Sequence, residues 1–223
     1  MRILFLLSFL FCTIIQAQLK LEIELNKNIE VTKEISKKNT LTISITNFSN
    51  SNIAFPLNNG GITPFLENES CTDKMVNELS LYSALPMIVL AKEGKSLEVE
   101  SWFHHIGNNV NYEKSKKRSF YSHLIFLKPY EKYTFQVYFN PHEFYDSPNG
   151  ISYWYFETMK QVEYNLKVQI CINKLLYREL TKRQLKRLSN YKLFEGNLLS
   201  NDITYNEDVN YGEEWKTNSI LSE

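Results

Sequence analysis

Strict alternation of apolar and polar residues is the feature that most limits the fold of this chain. In residues 19–25, LKLEIEL, every odd position is apolar and every even position is charged. The segments NTLTISITN (39–47) and VEYNLKVQICIN (162–173) repeat this two-residue period. Side chains alternate between the two faces of a β-strand, so each segment predicts a strand with one buried face.

Three further segments predict short strands separated by turns. PMIVLAKEGKSLEVESWF (86–103) has the pattern of a hairpin whose turn lies at 92–95 and contains Gly94. HLIFLKPYEKYTFQVYF (123–139) predicts two strands with a bend at Pro129, and KLFEGNLLSNDITY (192–205) predicts a last extended segment. The Asn and Ser residues of 47–52 indicate another turn. About seven to nine short strands with no long helix between them favour an all-β fold with antiparallel pairing.

The rhythm of these strands resembles that of immunoglobulin-like β-sandwich domains found in exported bacterial proteins. The resemblance extends over about Leu19 to Tyr205 and includes no diagnostic motif; the Cys and Trp framework of antibody domains is absent. It implies an antiparallel immunoglobulin-like sandwich with one or two short helices in the connections.

One helix is predicted by its capping residues. In RELTKRQLKRLSNY, Thr181 and Gln184 have the spacing of a capping box, and Leu180 and Leu185 have that of a hydrophobic staple. A helix over about 182–189 would point Leu185 and Leu188 inward and leave four cations outside: Lys182, Arg183, Lys186 and Arg187. A second, weaker helical pattern covers 72–81.

The first seventeen residues predict export. Arg2 precedes the apolar run Ile3 to Ile15, and Ala17 supplies a small residue for cleavage before Gln18. The alternatives are an uncleaved anchor, for which the run is short, and acylation at Cys12, which lacks the small residues expected before it. We therefore expect a periplasmic or extracellular protein with no transmembrane segment in the mature chain.

Charge and composition limit the partners and the domain number. Residues 1–17 contain one basic and no acidic residue, so the 25 basic residues fall to 24 against 25 acidic ones, a net charge of −1. This balance gives no general attraction to nucleic acid. Residues 18–205 predict one β-sandwich domain, and 206–223 predict a polar, acidic tail without regular structure.

Two cysteines remain after the predicted signal peptide, Cys71 and Cys171. In an oxidising compartment they can form a disulfide, or they can stay as two separate thiols. Cys171 lies on the face of its strand opposite Ile170 and Ile172, which leaves it free to meet a loop residue.

No motif in the sequence requires a particular chemistry, and we expect neither an enzyme nor a cofactor. The His142-Glu143 pair with Asp146 is the best local group of metal ligands, but it lacks a recognised spacing, as does His104-His105. No nucleophile elbow is present, and seven glycines include no phosphate-binding loop. The sequence therefore predicts no catalytic residue and no metal site.

Two surface features remain as candidate sites. The first is basic and comprises the four helix cations together with Lys114, Lys116, Lys117 and Arg118. The second is aromatic and surrounds the loop 146–150, with Tyr145, Tyr153, Trp154 and Tyr155 as candidate contacts and Phe144 and Phe156 beside them. Each feature also has an alternative that involves no ligand. The cations can form an ordinary solvated surface, and the aromatic residues can pack beneath a loop.

The function expected from these features is that of an exported, non-catalytic binding or structural module of the cell envelope that engages a protein partner. One alternative is a carbohydrate-binding module that uses the loop aromatics. Another is an inhibitor or immunity-type protein in which a loop enters the active site of its target.

Overall fold

The computed structural model of the protein describes residues 18–26, 39–67, 71–73, 84–104, 120–141, 144–146, 151–159 and 161–206. The predicted signal peptide, all but the first residue of the predicted tail, most of the predicted helix 72–81, the basic loop 114–118 and the His142-Glu143 pair lie outside these ranges.

The described residues form an all-β protein with short helices in its connections. The strands are β1 Leu19–Asn26, β2 Asn39–Asn47, β3 Ile53–Pro56, β4 Thr63–Pro64, β5 Pro86–Lys92, β6 Lys95–Ser96, β7 Val99–His104, β8 Leu124–Leu127, β9 Lys132–Phe139, β10 Phe144–Asp146, β11 Ile151–Phe156, β12 Glu163–Ile172, β13 Lys192–Leu193, β14 Gly196–Leu199 and β15 Ile203–Asn206. The helices are two 3₁₀ segments, Phe120–His123 and Lys174–Glu179, and one α-helix, α1, at Lys182–Arg187. The all-β prediction is therefore confirmed.

The strands form four sheets. Sheet A has the order β1-β2-β9, sheet B has β13-β3-β8, and sheet D has β10-β11-β7. Sheet C centres on β12, which pairs with β5 along one edge and with β14 and β15 along the other. Most pairs are antiparallel as predicted, but β3 with β13 and β4 with β5 are parallel. The prediction of antiparallel pairing is therefore wrong for these two pairs. Strands β4 and β13 are two residues long, too short to show an alternating pattern in the sequence.

The alternating segments bury the faces that their patterns predict. Leu21 and Ile23 of β1 and Ile43 of β2 lie in the same core cluster as Leu166 and Val168 of β12. Phe139 of β9 also meets Tyr205 of β15 edge to face, with ring centroids 5.3 Å apart. Sheets A and C thus contribute to one hydrophobic core, whose burial is the main stabilising term of the fold.

Sheets A and C are also joined by a polar contact at the edge of β1. The backbone N–H of Ile23 donates to Oδ1 of Asn201 at 2.9 Å, and Nδ2 of Asn201 donates to the Ile23 carbonyl at 3.2 Å. Ser200, just before it, bonds to both backbone groups of Val168 on β12. The β14–β15 connection therefore satisfies the backbone N–H and C=O of Ile23 on the outer edge of β1, where a further strand could otherwise pair.

Two of the predicted strand segments divide into several shorter strands. Glu93 and Gly94 both have positive φ, 50° and 79°, as a type I′ turn between β5 and β6 requires. The predicted hairpin at 92–95 is present, but its second strand leaves β5 after Ser96 and continues as β7 in sheet D. The predicted final segment 192–205 likewise divides into β13, β14 and β15.

Candidate binding surfaces

The connection between β12 and β13 is basic on its outside and anchored by leucines on its inside. Leu176, Leu180 and Leu188 are buried in the core cluster. Leu176 lies within the 3₁₀ segment Lys174–Glu179, and Leu180 and Leu188 are the C-cap residues of the two helical segments, so the connection is fixed to the core at three points. Most of the residues between these anchors are exposed; Tyr177 and Gln184 are partly buried.

Tyr177 fixes the same connection to sheet B. Its hydroxyl donates to the Phe194 carbonyl and lies 3.4 Å from the Ala54 carbonyl of β3. Burial, with a smaller contribution from Glu195, raises the pKa of the Tyr177 phenol, so the hydroxyl remains a donor at every physiological pH.

Helix α1 begins with the predicted capping box. The N–H of Gln184 donates to Oγ1 of Thr181 at 3.3 Å, and the N–H of Thr181 donates to Oε1 of Gln184 at 2.8 Å. Two N–H groups that a helix start leaves without intrahelical partners are thereby satisfied. The capping prediction is confirmed, and the helix ends at Arg187, two residues earlier than predicted.

Replacing Thr181 by Ala is expected to lower the free energy of unfolding by about 1 kcal/mol, because the helix loses its cap. Urea unfolding followed by circular dichroism measures the change, with Thr181→Ser as the matched control that keeps the hydroxyl. Equal stability of the Ala and Ser variants would show that the cap contributes nothing here.

The predicted inward orientation of Leu185 is wrong. Its side chain is 42 % exposed, and none of the residues 182–187 is buried. The physical reason is that the core holds the helix at its two ends: Leu180 and Leu188 are buried on either side of it, and the six residues of the helix between them remain exposed or partly exposed.

The exposed side of the connection forms what we call the basic surface: Lys174, Arg178, Lys182, Arg183, Lys186, Arg187 and Lys192. All seven side chains are exposed, and Glu179 is the one acidic residue in 174–192. In the described part of the chain, ion pairs join Lys20 to Glu22 and Lys167 to Asp202 and do not involve the basic surface. Because no carboxylate of the described residues pairs with these cations, the surface can attract an acidic partner.

A disulfide lies at the start of the basic connection. It joins Cys71 to Cys171 on β12, with Cα atoms 5.3 Å apart. Nε2 of Gln169 lies 3.2 Å from Sγ of Cys71, and Nδ2 of Asn173 donates to Oδ1 of Asp73 at 2.7 Å. The segment 71–73 is therefore held against the end of β12 by one covalent bond and two polar contacts.

The predicted aromatic site lies in sheet D, and the strand register divides its residues. Tyr145 pairs with Tyr153, and Tyr153 pairs with Trp102 of β7. Directly paired residues and residues two apart share a face, which places positions 145, 153, 102 and 155 on one face of the sheet and position 154 on the other. The register therefore divides the four predicted site residues between the two faces of sheet D and adds position 102 to the face of 145 and 153. Their role in binding stays a prediction.

The burial of Tyr155 and Phe156 shows which face of sheet D packs against the core. Phe156 is 1 % exposed, whereas Tyr155 is half-buried. Desolvation, followed by the charges of Glu100 and Glu157, raises the pKa of the Tyr155 phenol. The face that holds positions 145, 153 and 155 is thus the one opposite the buried Phe156.

A further surface, at the end of sheets A and B, was not anticipated from the sequence. It is formed by the β2–β3 connection (48–52) and the β8–β9 turn (128–131), and we call it the Asn47 loop surface. Phe48 and Tyr130 are exposed on it. Asn47, fully buried between the two loops, bonds to both of them. The sequence signals were the turn at 47–52 and the Pro129 bend, and neither of them shows which aromatic side chains the loops display.

No cluster of three or more metal-ligating side chains occurs in the described residues. None of the helices within the described ranges has the length and apolar character needed to cross a membrane. Comparison with protein-family models and with curated protein sequences finds no match for the chain. The molecule is thus defined by its fold, an all-β protein, and by the surfaces that its connections display.

Proposed function

We propose that the protein is an exported, non-catalytic binding module of immunoglobulin-like sandwich type, and that it engages an acidic protein partner through the basic surface. The observation that carries this proposal is the group of seven exposed cations without ion-pair partners in the described residues, on a chain whose overall charge is balanced. A local field of this kind attracts acidic partners and increases their rate of association.

The placement of the cations favours a role in binding over a role in folding. Lys182 and Lys186 are four residues apart on α1, as are Arg183 and Arg187, and each like-charge pair destabilises a helix by about 0.2–0.5 kcal/mol. Lys182 and Arg183 also occupy the first turn, where the helix dipole disfavours positive charge, whereas Lys186 and Arg187 lie in the last turn, where it favours positive charge. A bound acidic surface would relieve this repulsion.

The immunoglobulin-like and exported parts of the proposal have their own support. Sheet A, which is antiparallel, and sheet C, which is antiparallel apart from the β4–β5 pair, share one core, as the sheets of a sandwich do. The Cys71–Cys171 disulfide suits an oxidising compartment, in line with the signal peptide expected over 1–17.

Charge reversal on α1 tests the proposed interface. We expect the Lys182→Glu/Lys186→Glu variant to lose the acidic protein that the wild type retains from an envelope fraction, and its association rate with that protein to fall at least about tenfold at low ionic strength. Surface plasmon resonance with the purified partner at several salt concentrations gives the rate.

The matched control is Lys92→Glu/Lys95→Glu, which makes the same charge change in the β5–β6 hairpin. It is expected to bind as the wild type does. If both variants lose the same amount of binding, the effect comes from net charge and not from the position of the cations. If neither salt nor charge reversal on α1 weakens binding, the proposal is contradicted.

Sheet D offers a separate test of the aromatic prediction. Replacement of Tyr145 and Tyr153 by Ser addresses the face opposite Phe156. If the same partner is captured with unchanged affinity, sheet D is not part of the interface.

A further inference from the structure

Tyr130 occupies a backbone conformation that its side chain disfavours. The turn closes through the N–H of Glu131, which donates to the Lys128 carbonyl at 3.1 Å, and Pro129 is its first central residue. Tyr130, the second central residue, has a φ of 62°, where a type II turn favours Gly or Asn. A bulky residue in the left-handed region is strained, so folding alone does not favour a tyrosine here.

The ring of Tyr130 does not recover that strain by burial. It is 67 % exposed, and its hydroxyl donates to Oδ1 of Asn50 at 2.8 Å on the protein surface. This hydrogen bond fixes the direction of the ring. The turn thus displays an aromatic side chain in one orientation, and strained residues of this kind concentrate at functional sites.

The surroundings of the ring are rigid. The N–H of Tyr130 donates to the Asn47 carbonyl at 2.8 Å, and the N–H of Asn47 donates to the Glu131 carbonyl at 3.0 Å. The neighbouring Phe48, 42 % exposed, is held by its own N–H, which donates to the Gln18 carbonyl at 2.9 Å. Two exposed aromatic rings are therefore carried by loops whose backbones are fixed, and a ligand would bind without ordering them first.

The polar side chains of the connection 49–52 are neutral. This connection reads Ser-Asn-Ser-Asn, and Nδ2 of Asn50 makes no hydrogen bond within the described residues. The other loop carries one exposed charge of each sign, Lys128 and Glu131, and therefore no net charge; the Glu131 carboxylate accepts from the backbone N–H of Lys128 at 2.7 Å. Aromatic faces for apolar ring surfaces, next to amides and hydroxyls for hydrogen bonds, match the chemistry of a neutral sugar.

We propose that the Asn47 loop surface is a binding site for a neutral saccharide, with Tyr130 and Phe48 as stacking platforms and Asn50 as a hydrogen-bonding group. The site adjoins the basic surface, since the N–H of Lys192 donates to the Asn52 carbonyl at 2.8 Å. The two proposed ligands differ in charge, so charge reversal on α1 and removal of the rings test the two proposals separately. The structure favours a saccharide over a protein ligand because the connection that follows Phe48 and bonds to Tyr130 carries only short amides and hydroxyls.

Affinity electrophoresis in gels that contain soluble neutral polysaccharides (a β-1,4-glucan, a β-1,3-glucan, a mannan or a xylan) tests the site. The wild-type chain is expected to be retarded by at least one of them. Tyr130→Gly and Phe48→Ser are expected to lose that retardation, with affinity reduced roughly fivefold to tenfold or more.

The stability of Tyr130→Gly separates a binding role from a structural one. Because Gly accepts the left-handed conformation, this variant is expected to melt at the wild-type temperature or up to about 4 °C above it, while it loses retardation. Tyr138→Ser removes an equally exposed ring from β9 and is the matched control, which keeps retardation. Lys182→Glu/Lys186→Glu also keeps it, since the polysaccharides carry no charge.

Three outcomes would overturn the proposal. The first is that none of the four polysaccharides retards the wild type. The second is retardation that survives both ring removals, or that Tyr138→Ser also loses. The third is a Tyr130→Gly variant that loses retardation only together with a lower melting temperature, which would make Tyr130 a structural residue.

Discussion

The Cys71→Ala/Cys171→Ala variant is expected to lose about 4 kcal/mol of its free energy of unfolding. The two cysteines are 100 residues apart in sequence, and a bridge across a loop of this length reduces the entropy of the unfolded chain by an amount equivalent to about 4.7 kcal/mol. Equilibrium unfolding in urea measures the loss, which lowers the midpoint of the transition and raises its slope as the unfolded chain becomes more open.

Local contacts explain why the native structure is expected to survive this substitution. Asn173 still bonds to Asp73, and the core positions Ile170 and Ile172 on either side of Cys171 remain buried. The bridge therefore acts mainly on the unfolded state. Reduction of the wild type with dithiothreitol should reproduce the loss, whereas the double variant should not respond to reductant. A loss below about 1 kcal/mol would contradict the entropic account.

The sequence predicted those strands that have one face toward the core and the other toward solvent. In β12 the five residues Tyr164, Leu166, Val168, Ile170 and Ile172 alternate with polar ones, and all five are buried. The pleat of the backbone imposes this period whatever the partner strand is, so the pattern is visible locally. The sequence does not show which strands pair with each other. For example, nothing in 99–104 indicates that β7 pairs with β11 in sheet D instead of continuing the hairpin with β5.

In the candidate sites, too, the features set by local sequence were predictable and those set by distant contacts were not. The cap of α1 and its exposed cations were predictable, because Thr181 and Gln184 interact over three residues. The exposure of Leu185 was not, because it depends on where the core anchors the two ends of the helix. Asn47 looked like one more residue of a polar turn, since its contacts with the carbonyls of Leu127 and Lys128 cross 80 and 81 residues of sequence.

Replacement of Asn47 by Ala is expected to lower the free energy of unfolding by about 3 kcal/mol. The side chain is fully buried; its Nδ2 lies 2.8 Å from the Ser51 carbonyl and 2.9 Å from the Lys128 carbonyl, and its Oδ1 accepts from the Ser49 N–H at 2.9 Å. Removing it leaves a cavity and backbone groups without partners, each of which costs about 1–3 kcal/mol when water cannot reach it. Water that enters part of the site limits the total.

Asn50→Ala is the matched control, because it removes the same kind of side chain from an exposed position in the same loop. Its unfolding free energy should stay within about 0.5 kcal/mol of the wild type. Hydrogen exchange adds a local measurement: Asn47→Ala should accelerate exchange at the Ser49 amide far more than at the amides of β12, because only the former loses its acceptor. If exchange at Ser49 is unchanged, or if both substitutions cost the same, Asn47 does not hold the two loops together, and the fixed display of Tyr130 has to come from the turn alone.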